Sequence, residues 1–239
     1  MSFPFTLPKS GAELARFIDH TMIRPTDTLD KVIESLDEIE SAGFRALVVS
    51  PWLLPEIASL TTSRLASVIG FPHGSETLHA KLYQVREVAE LGAREADVVI
   101  NLCAVKSGRK DLVVREISEL TREAHERGLI IKFIIETGLL SEREYLWAAE
   151  KIVEHGADFV KTNTGHGPRG VLPEDVVKLR RVVGNKAGIK ASGGIRSALQ
   201  ALVLLWVGAD VIGTSNGLEI VREYDALIKE GPLRELPWK

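Results

Sequence analysis

The chain predicts an α/β fold, a (β/α)8 TIM barrel forming a single domain over residues 1–239. Three features carry that expectation. Amphipathic segments end in glycine, short runs rich in Val and Ile follow those glycines along the chain, and eight strand candidates are counted in all.

In chain order, the first strand is expected at residues 15–20. Pro25, Thr26 and Asp27 then supply helix start signals, and Leu29, Val32, Ile33, Leu36 and Ile39 fall on one face of the helix that follows. Gly43 ends that helix and opens a strand at 45–50, and another run follows at 65–70. Gly92 precedes 96–101, Gly128 precedes 129–136 and Gly156 precedes 158–163; the last two runs are 187–192 and, after Gly208, 210–214. Strands this apolar, alternating with helices, need a parallel sheet covered on its outer side. Eight such units favour a closed barrel over an open doubly wound sheet, and no proline- or serine-rich linker divides the chain.

Hydrophobic residues make up 45% and charged residues 26% of the chain, enough apolar material for a large core. A net charge of -3 exerts no general pull on nucleic acid or on an anionic membrane, so neither is expected as a partner. Any anion must then be held by a local site. Cys103 is the only cysteine, which rules out an intramolecular disulfide, points to a reducing compartment and reads as inert packing. The first ten residues carry Pro4 and Pro8 and lack a cationic start backed by an apolar run, so no secretory signal is read there. The most apolar stretch, 201–207, falls far short of the roughly 20 residues that span a bilayer. A cytoplasmic location is expected.

In a barrel of this kind functional groups gather at the C-terminal ends of the strands. Lys132, Lys161 and Lys190 interrupt otherwise apolar strands there, and the spacing from the first to the second equals that from the second to the third. They are expected at matching places in successive units, converging at the mouth. Lysine is seldom buried without a partner or a task. The structural reading is a set of ion pairs with inward carboxylates. The chemical one is that burial and a cationic neighbour both disfavour protonation and leave a nucleophilic amine. Such an amine attacks a carbonyl, and the resulting iminium draws electrons from the adjacent carbon, so a carbon–carbon bond is made or broken with no metal and no organic cofactor. That is class I aldolase chemistry.

Asp97 is the candidate proton carrier, and strand alternation puts Asn101 on its face. Ser192-Gly-Gly-Ile-Arg196 and Gly213-Thr-Ser-Asn-Gly217 each precede a helix. Gly193 and Gly194 let backbone N–H groups approach a phosphate, helix N-termini favour its charge, and Arg196 adds a cation. A phosphorylated small molecule is the expected substrate.

The motifs Ile18-Asp-His-Thr21, Val68-Ile-Gly-Phe-Pro-His-Gly74, Asp97-Val-Val-Ile-Asn101, Val160-Lys-Thr-Asn-Thr-Gly165, Ile189-Lys-Ala-Ser-Gly-Gly-Ile-Arg196 and Gly213-Thr-Ser215 lie along nearly the whole chain. Through them it resembles the deoxyribose-phosphate aldolases. The resemblance implies reversible cleavage of 2-deoxy-D-ribose 5-phosphate to glyceraldehyde 3-phosphate and acetaldehyde in deoxyribonucleoside breakdown. It implies a Schiff-base lysine at Lys161, an activating neighbour at Lys190 and a proton relay at Asp97; Lys132, the remaining lysine of the set, is expected to support them. It further implies phosphate contacts from Gly165, Gly193, Gly194 and Ser215, with Thr164 and Asp19 along the substrate hydroxyls. The implied partners are phosphorylated sugars and aldehydes. Two departures stand out: Asn163 where the family usually has Ser, on the same face as Lys161, and Ser50-Pro51 where it often has Asn-Pro.

Three other readings remain open. His20, His73 and His166 fall near strand ends and would hold zinc if they met at the mouth. A phosphate-binding barrel without catalysis, or another Schiff-base barrel such as a transaldolase or an archaeal fructose-bisphosphate aldolase, shares the same outline. Residues 231–239 carry Leu233, Leu236 and Trp238, which either dock on a partner subunit or fold back, so a homo-oligomer is left open.

Overall fold

The computed structural model describes residues 6–229 of the chain. Ser10 accepts a hydrogen bond from the Glu13 N–H and so caps a short helix, α1 (Gly11–Ala15), which takes up residues the apolar pattern had given to a strand. β1 therefore runs over Ile18–Met22 rather than 15–20. The other strands are β2 (Ala46–Val49), β3 (Leu65–Ile69), β4 (Glu95–Val99), β5 (Ile130–Ile134), β6 (Phe159–Lys161), β7 (Gly188–Ser192) and β8 (Val211–Thr214). All pair in parallel and in sequence order, and β1 closes on β8 to complete the barrel.

The helices are α2 (Leu29–Ala42), α3 (Leu54–Ile57), α4 (Leu78–Glu90), α5 (Leu102–Lys106), α6 (Lys110–Glu126), α7 (Glu142–Glu154), α8 (Pro173–Val183), α9 (Ala198–Trp206) and α10 (Gly217–Lys229). In α2, Thr28 caps the start and Gly43, at φ 70°, caps the end. That left-handed turn suits glycine, and Gly92, Gly128, Gly156 and Gly208 repeat it at positive φ. Val32, Leu36 and Ile39 are buried, but Ile33 is 41% exposed. It stands a full residue step, roughly 100°, off the line that Val32 and Leu36 share.

Strand residues alternate between two environments. Leu47, Val49, Ile131, Phe133, Val160, Ile189 and Ile212 belong to the main core with the helices. Inside the barrel lie a small apolar patch of Val48, Ala66 and Val68 and a set of buried charges. Cys103, expected as packing, is exposed on α5, a one-turn helix capped by the Asn101 side chain. Among the described residues no helix is long and apolar enough to cross a membrane. The tail at 231–239 lies outside the described residues.

Candidate active site

The three lysines all point into the barrel, but not in one layer. Lys161 and Lys190 are direct neighbours in the β6–β7 register. Lys132 pairs instead with Phe159, while Ile134 stands beside Lys161, so Lys132 lies two residues deeper. The stagger of strands in a closed barrel shifts each unit against the next, and equal sequence spacing does not mean equal height. The equal-height expectation holds for one pair and fails for the third lysine.

Asp97 joins them. Its Oδ2 receives Lys161 Nζ at 2.8 Å and Lys190 Nζ at 2.8 Å, and its Oδ1 receives Lys132 Nζ at 2.7 Å. Beneath, Lys132 Nζ also lies 2.5 Å from Glu95 Oε2, and Glu95 is bound by Arg45 and Arg64. Asp19 Oδ2 lies 2.6 Å from Lys190 Nζ, an ion pair short of hydrogen-bond geometry, while its Oδ1 takes Arg45 Nη1 at 2.6 Å. Within the barrel the cations Arg45, Lys132, Lys161 and Lys190 thus face the carboxylates Asp19, Glu95 and Asp97. Charges balance there when one lysine is neutral, and the half-exposed Arg64 adds to the cationic excess from outside.

Electrostatics single out Lys161. Burial is the largest influence on its amine and, with Lys190, brings its pKa down to about 8 against the opposing pull of Asp97. The cationic neighbour is the smaller cause; sequence reasoning had named both without ranking them. Burial alone would raise the Asp97 carboxyl, but Lys132, Lys161 and Lys190 hold it well below the ordinary carboxylate value. Lys132 goes the other way: burial works against its charge, yet Asp97, Asp19 and Glu95 push it above the usual lysine range. Lys161 and Lys132, on the same carboxylate, are therefore shifted in opposite directions, and Lys161 is the one that holds its proton less tightly.

Lys161 is also the one lysine lining the cavity above, a space of about 350 Å³ at the C-terminal end of the barrel. Thr164, Gly165, Gly193, Gly194 and Ser215 line it as well, as do Arg24, Arg169 and Arg196. Asp97, Lys190, Lys132 and Asp19 lie below its floor. Among the described hydrogen bonds none is donated by the backbone N–H of Gly165, Gly193, Gly194 or Ser215. These donors surround the end of the cavity formed by the loops after β6, β7 and β8.

The side of the cavity nearest Lys161 in sequence has the opposite polarity. Glu136, just beyond β5 and buried at φ 49°, accepts from Thr164 Oγ1 at 2.5 Å, from Thr164 N at 2.9 Å and from Asn163 Nδ2 at 2.8 Å. With its proton directed at that carboxylate and one lone pair taken by the His166 N–H at 3.0 Å, the Thr164 hydroxyl faces the cavity as an acceptor. Asn163 itself is buried, turned to Glu136 and Thr137, and does not line the cavity. Asn101 is likewise turned away from Asp97's surroundings, since its side chain caps α5.

The histidines do not converge. His20 stacks on Phe44 with ring centroids 5.0 Å apart, and burial takes its pKa down to about 4. His166 meets Phe71 edge-on, His73 is exposed, and among the described residues no three ligating side chains come together.

Sequence reasoning passed over Glu136, Arg24, Arg45 and Glu95. Glu136 ends the expected strand 129–136, so an acid closing an apolar run was its signal. Arg24 was hidden because β1 was placed too early, which left it well down a loop instead of two residues past a strand end.

A closed parallel barrel with a depressed-pKa lysine at the floor of a cation-rimmed cavity is an enzyme of the aldolase class. The model of the DeoC/LacD family of aldolases matches residues 14–224. The chain is 45% identical to the deoxyribose-phosphate aldolase of Thermococcus gammatolerans, covering 88% of this chain and 96% of that protein. It is 43% identical to the enzyme of that name from Dictyoglomus turgidum, covering 87% and 96%. Among solved structures, the tetrameric deoxyribose phosphate aldolase of Aeropyrum pernix superposes with a TM-score of 0.82 at 35% identity, covering 91% of this chain and 93% of that one. The chain belongs to the DeoC/LacD family of aldolases and is a carbon–carbon lyase.

Proposed function

We propose that the protein reversibly cleaves 2-deoxy-D-ribose 5-phosphate to glyceraldehyde 3-phosphate and acetaldehyde through a Schiff base on Lys161. The observation that carries this is the Lys161 amine, buried at the cavity floor, with its pKa brought to about 8, and 2.8 Å from a carboxylate it shares with Lys190. The names of the relatives from Thermococcus and Dictyoglomus support the choice of substrate.

The neutral amine attacks the aldehyde carbon of the open-chain sugar and water leaves, giving an iminium. The bond between the second and third carbons then breaks, its electron pair moving toward the iminium to form an enamine, while the third-carbon hydroxyl loses its proton and becomes the aldehyde of glyceraldehyde 3-phosphate. Protonation of the enamine carbon and hydrolysis release acetaldehyde and return the amine. Asp97 serves as proton relay, because Oδ2 already touches both amines involved. Lys190 holds that carboxylate in place and adds to the field that discharges Lys161. Thr164, as an acceptor, suits a substrate hydroxyl, and the unengaged N–H groups of Gly165, Gly193, Gly194 and Ser215 suit the phosphate. Asp19 acts from below by positioning Lys190, and Lys132 supports Asp97.

Purified protein should release acetaldehyde and glyceraldehyde 3-phosphate from the sugar phosphate, and Lys161→Ala should abolish the release while remaining folded. A wild type that leaves the sugar intact would end this reading. Self-association is supported by the tetramer of the Aeropyrum relative, and light scattering on the purified chain measures it directly.

A further inference from the structure

Three arginines line the cavity, and they differ in their partners. Arg169 is held by Asp175, with Nη1 2.6 Å from Oδ2. Among the described residues neither Arg24 nor Arg196 forms an ion pair with a carboxylate, and in a chain of net charge -3 two such guanidinium groups at one opening form a local anion site. Arg24 has a built position. Its backbone N–H is fixed by Asp27 Oδ2 at 2.9 Å, and Asp27 is fixed in turn by Lys31 Nζ at 2.6 Å. Its Nη2 donates to Ser215 Oγ at 2.6 Å, bridging the loop after β1 to the loop after β8 where those strands close the barrel.

That bond decides polarity. A hydroxyl that accepts from a guanidinium keeps its own proton to give, so Ser215 is left as a donor toward the cavity. Together with the unengaged N–H groups of Gly165, Gly193, Gly194 and Ser215, this gives that end of the cavity a concentration of donors and positive charge. A phosphate monoester, with acceptor oxygens on every side, matches it, and the fork of an arginine engages such a group at two points.

We propose that Arg24 is a specificity-determining binding residue, which closes over the phosphate of the substrate from the β1 side and makes the site prefer phosphorylated over free 2-deoxyribose. The inference rests on the aldolase reading above and adds a residue that neither the motifs nor the spacing identified.

The test compares kcat/KM for 2-deoxyribose 5-phosphate with kcat/KM for 2-deoxyribose in the wild type, Arg24→Ala and Arg24→Lys. Loss of a charge-assisted contact should lower the ratio by about 10- to 100-fold in Arg24→Ala, carried mainly by KM for the phosphorylated sugar. Inorganic phosphate should weaken as a competitive inhibitor to a similar extent, and Arg24→Lys, which keeps the charge and loses the fork, should fall between. An active wild type whose ratio survives Arg24→Ala, or a variant that loses both substrates equally, overturns the inference alone. A wild type inactive on both sugars overturns the aldolase reading on which it rests.

Discussion

Lys190→Met removes one cation beside Lys161 while keeping a chain of similar length. Both amines lie 2.8 Å from the same Asp97 oxygen, so they are within about 5.6 Å of each other. Two like charges at that separation, in an effective dielectric of about 20, repel by about 3 kcal/mol, equivalent to about two pKa units. Burial, the larger cause of the depression, remains in the variant, so the Lys161 pKa should rise from about 8 without regaining 10.5. At pH 7 about a tenth of the wild-type amine is neutral, and each unit gained costs about tenfold. The assay is the rate at which cyanoborohydride traps acetaldehyde on the protein across roughly pH 6 to 10, compared per folded molecule. The wild-type rate should climb through an inflection near pH 8, and the variant's inflection should lie one to two units higher, about 10- to 100-fold slower at neutral pH. An inflection that stays put or moves down would refute the claim that Lys190 helps to discharge Lys161.

Other outcomes follow from the same network. Lys132→Met leaves Asp97 Oδ1 without its partner in a fully buried setting and takes one cation from Glu95, which keeps Arg45 and Arg64, and the urea midpoint should drop by the equivalent of about 3 kcal/mol. Asp19 and Asp97 both titrate below 3.8 in the folded state, so they hold protons less tightly there than in the unfolded chain. Their stabilisation should be fully present above about pH 4 and be lost as pH falls through the folded values, which urea titrations at pH 7 and about pH 3 compare. Glu136→Ala strips the partner from Thr164 and Asn163, so cleavage of the sugar phosphate should fall by about tenfold or more while acetaldehyde trapping at Lys161 falls much less.

Much of the barrel was legible because its periodic signals are local: glycine at a left-handed helix end followed by a β-branched run, at Gly43, Gly92, Gly128, Gly156 and Gly208. What failed was non-local. Ala15 reads as strand by composition and sits in a helix because Ser10 caps it. Lys132 reads as level with Lys161 and lies deeper because the strands are staggered. Asn163 was read on the face of Lys161, but Glu136 and Thr137 draw its side chain aside. The lysines announced themselves as polar residues in apolar strands. The acids that pair with them, Asp19 and Glu95, stand beside polar or loop residues in sequence, where no contrast marks them as buried. Arg24 and Glu136 depend on where loops after two different strands meet in space, and that is set by closure of the sheet.

The central claim is that one amine, at position 161, carries the reaction. Incubating the protein with acetaldehyde, reducing it and sequencing the peptides by mass spectrometry locates the carbon retained. The account predicts an N-ethyl group on Lys161 at low reagent excess, with Lys132 and Lys190 unmodified. A label on Lys190 or Lys132 with Lys161 untouched, or one spread evenly over exposed lysines, would contradict it.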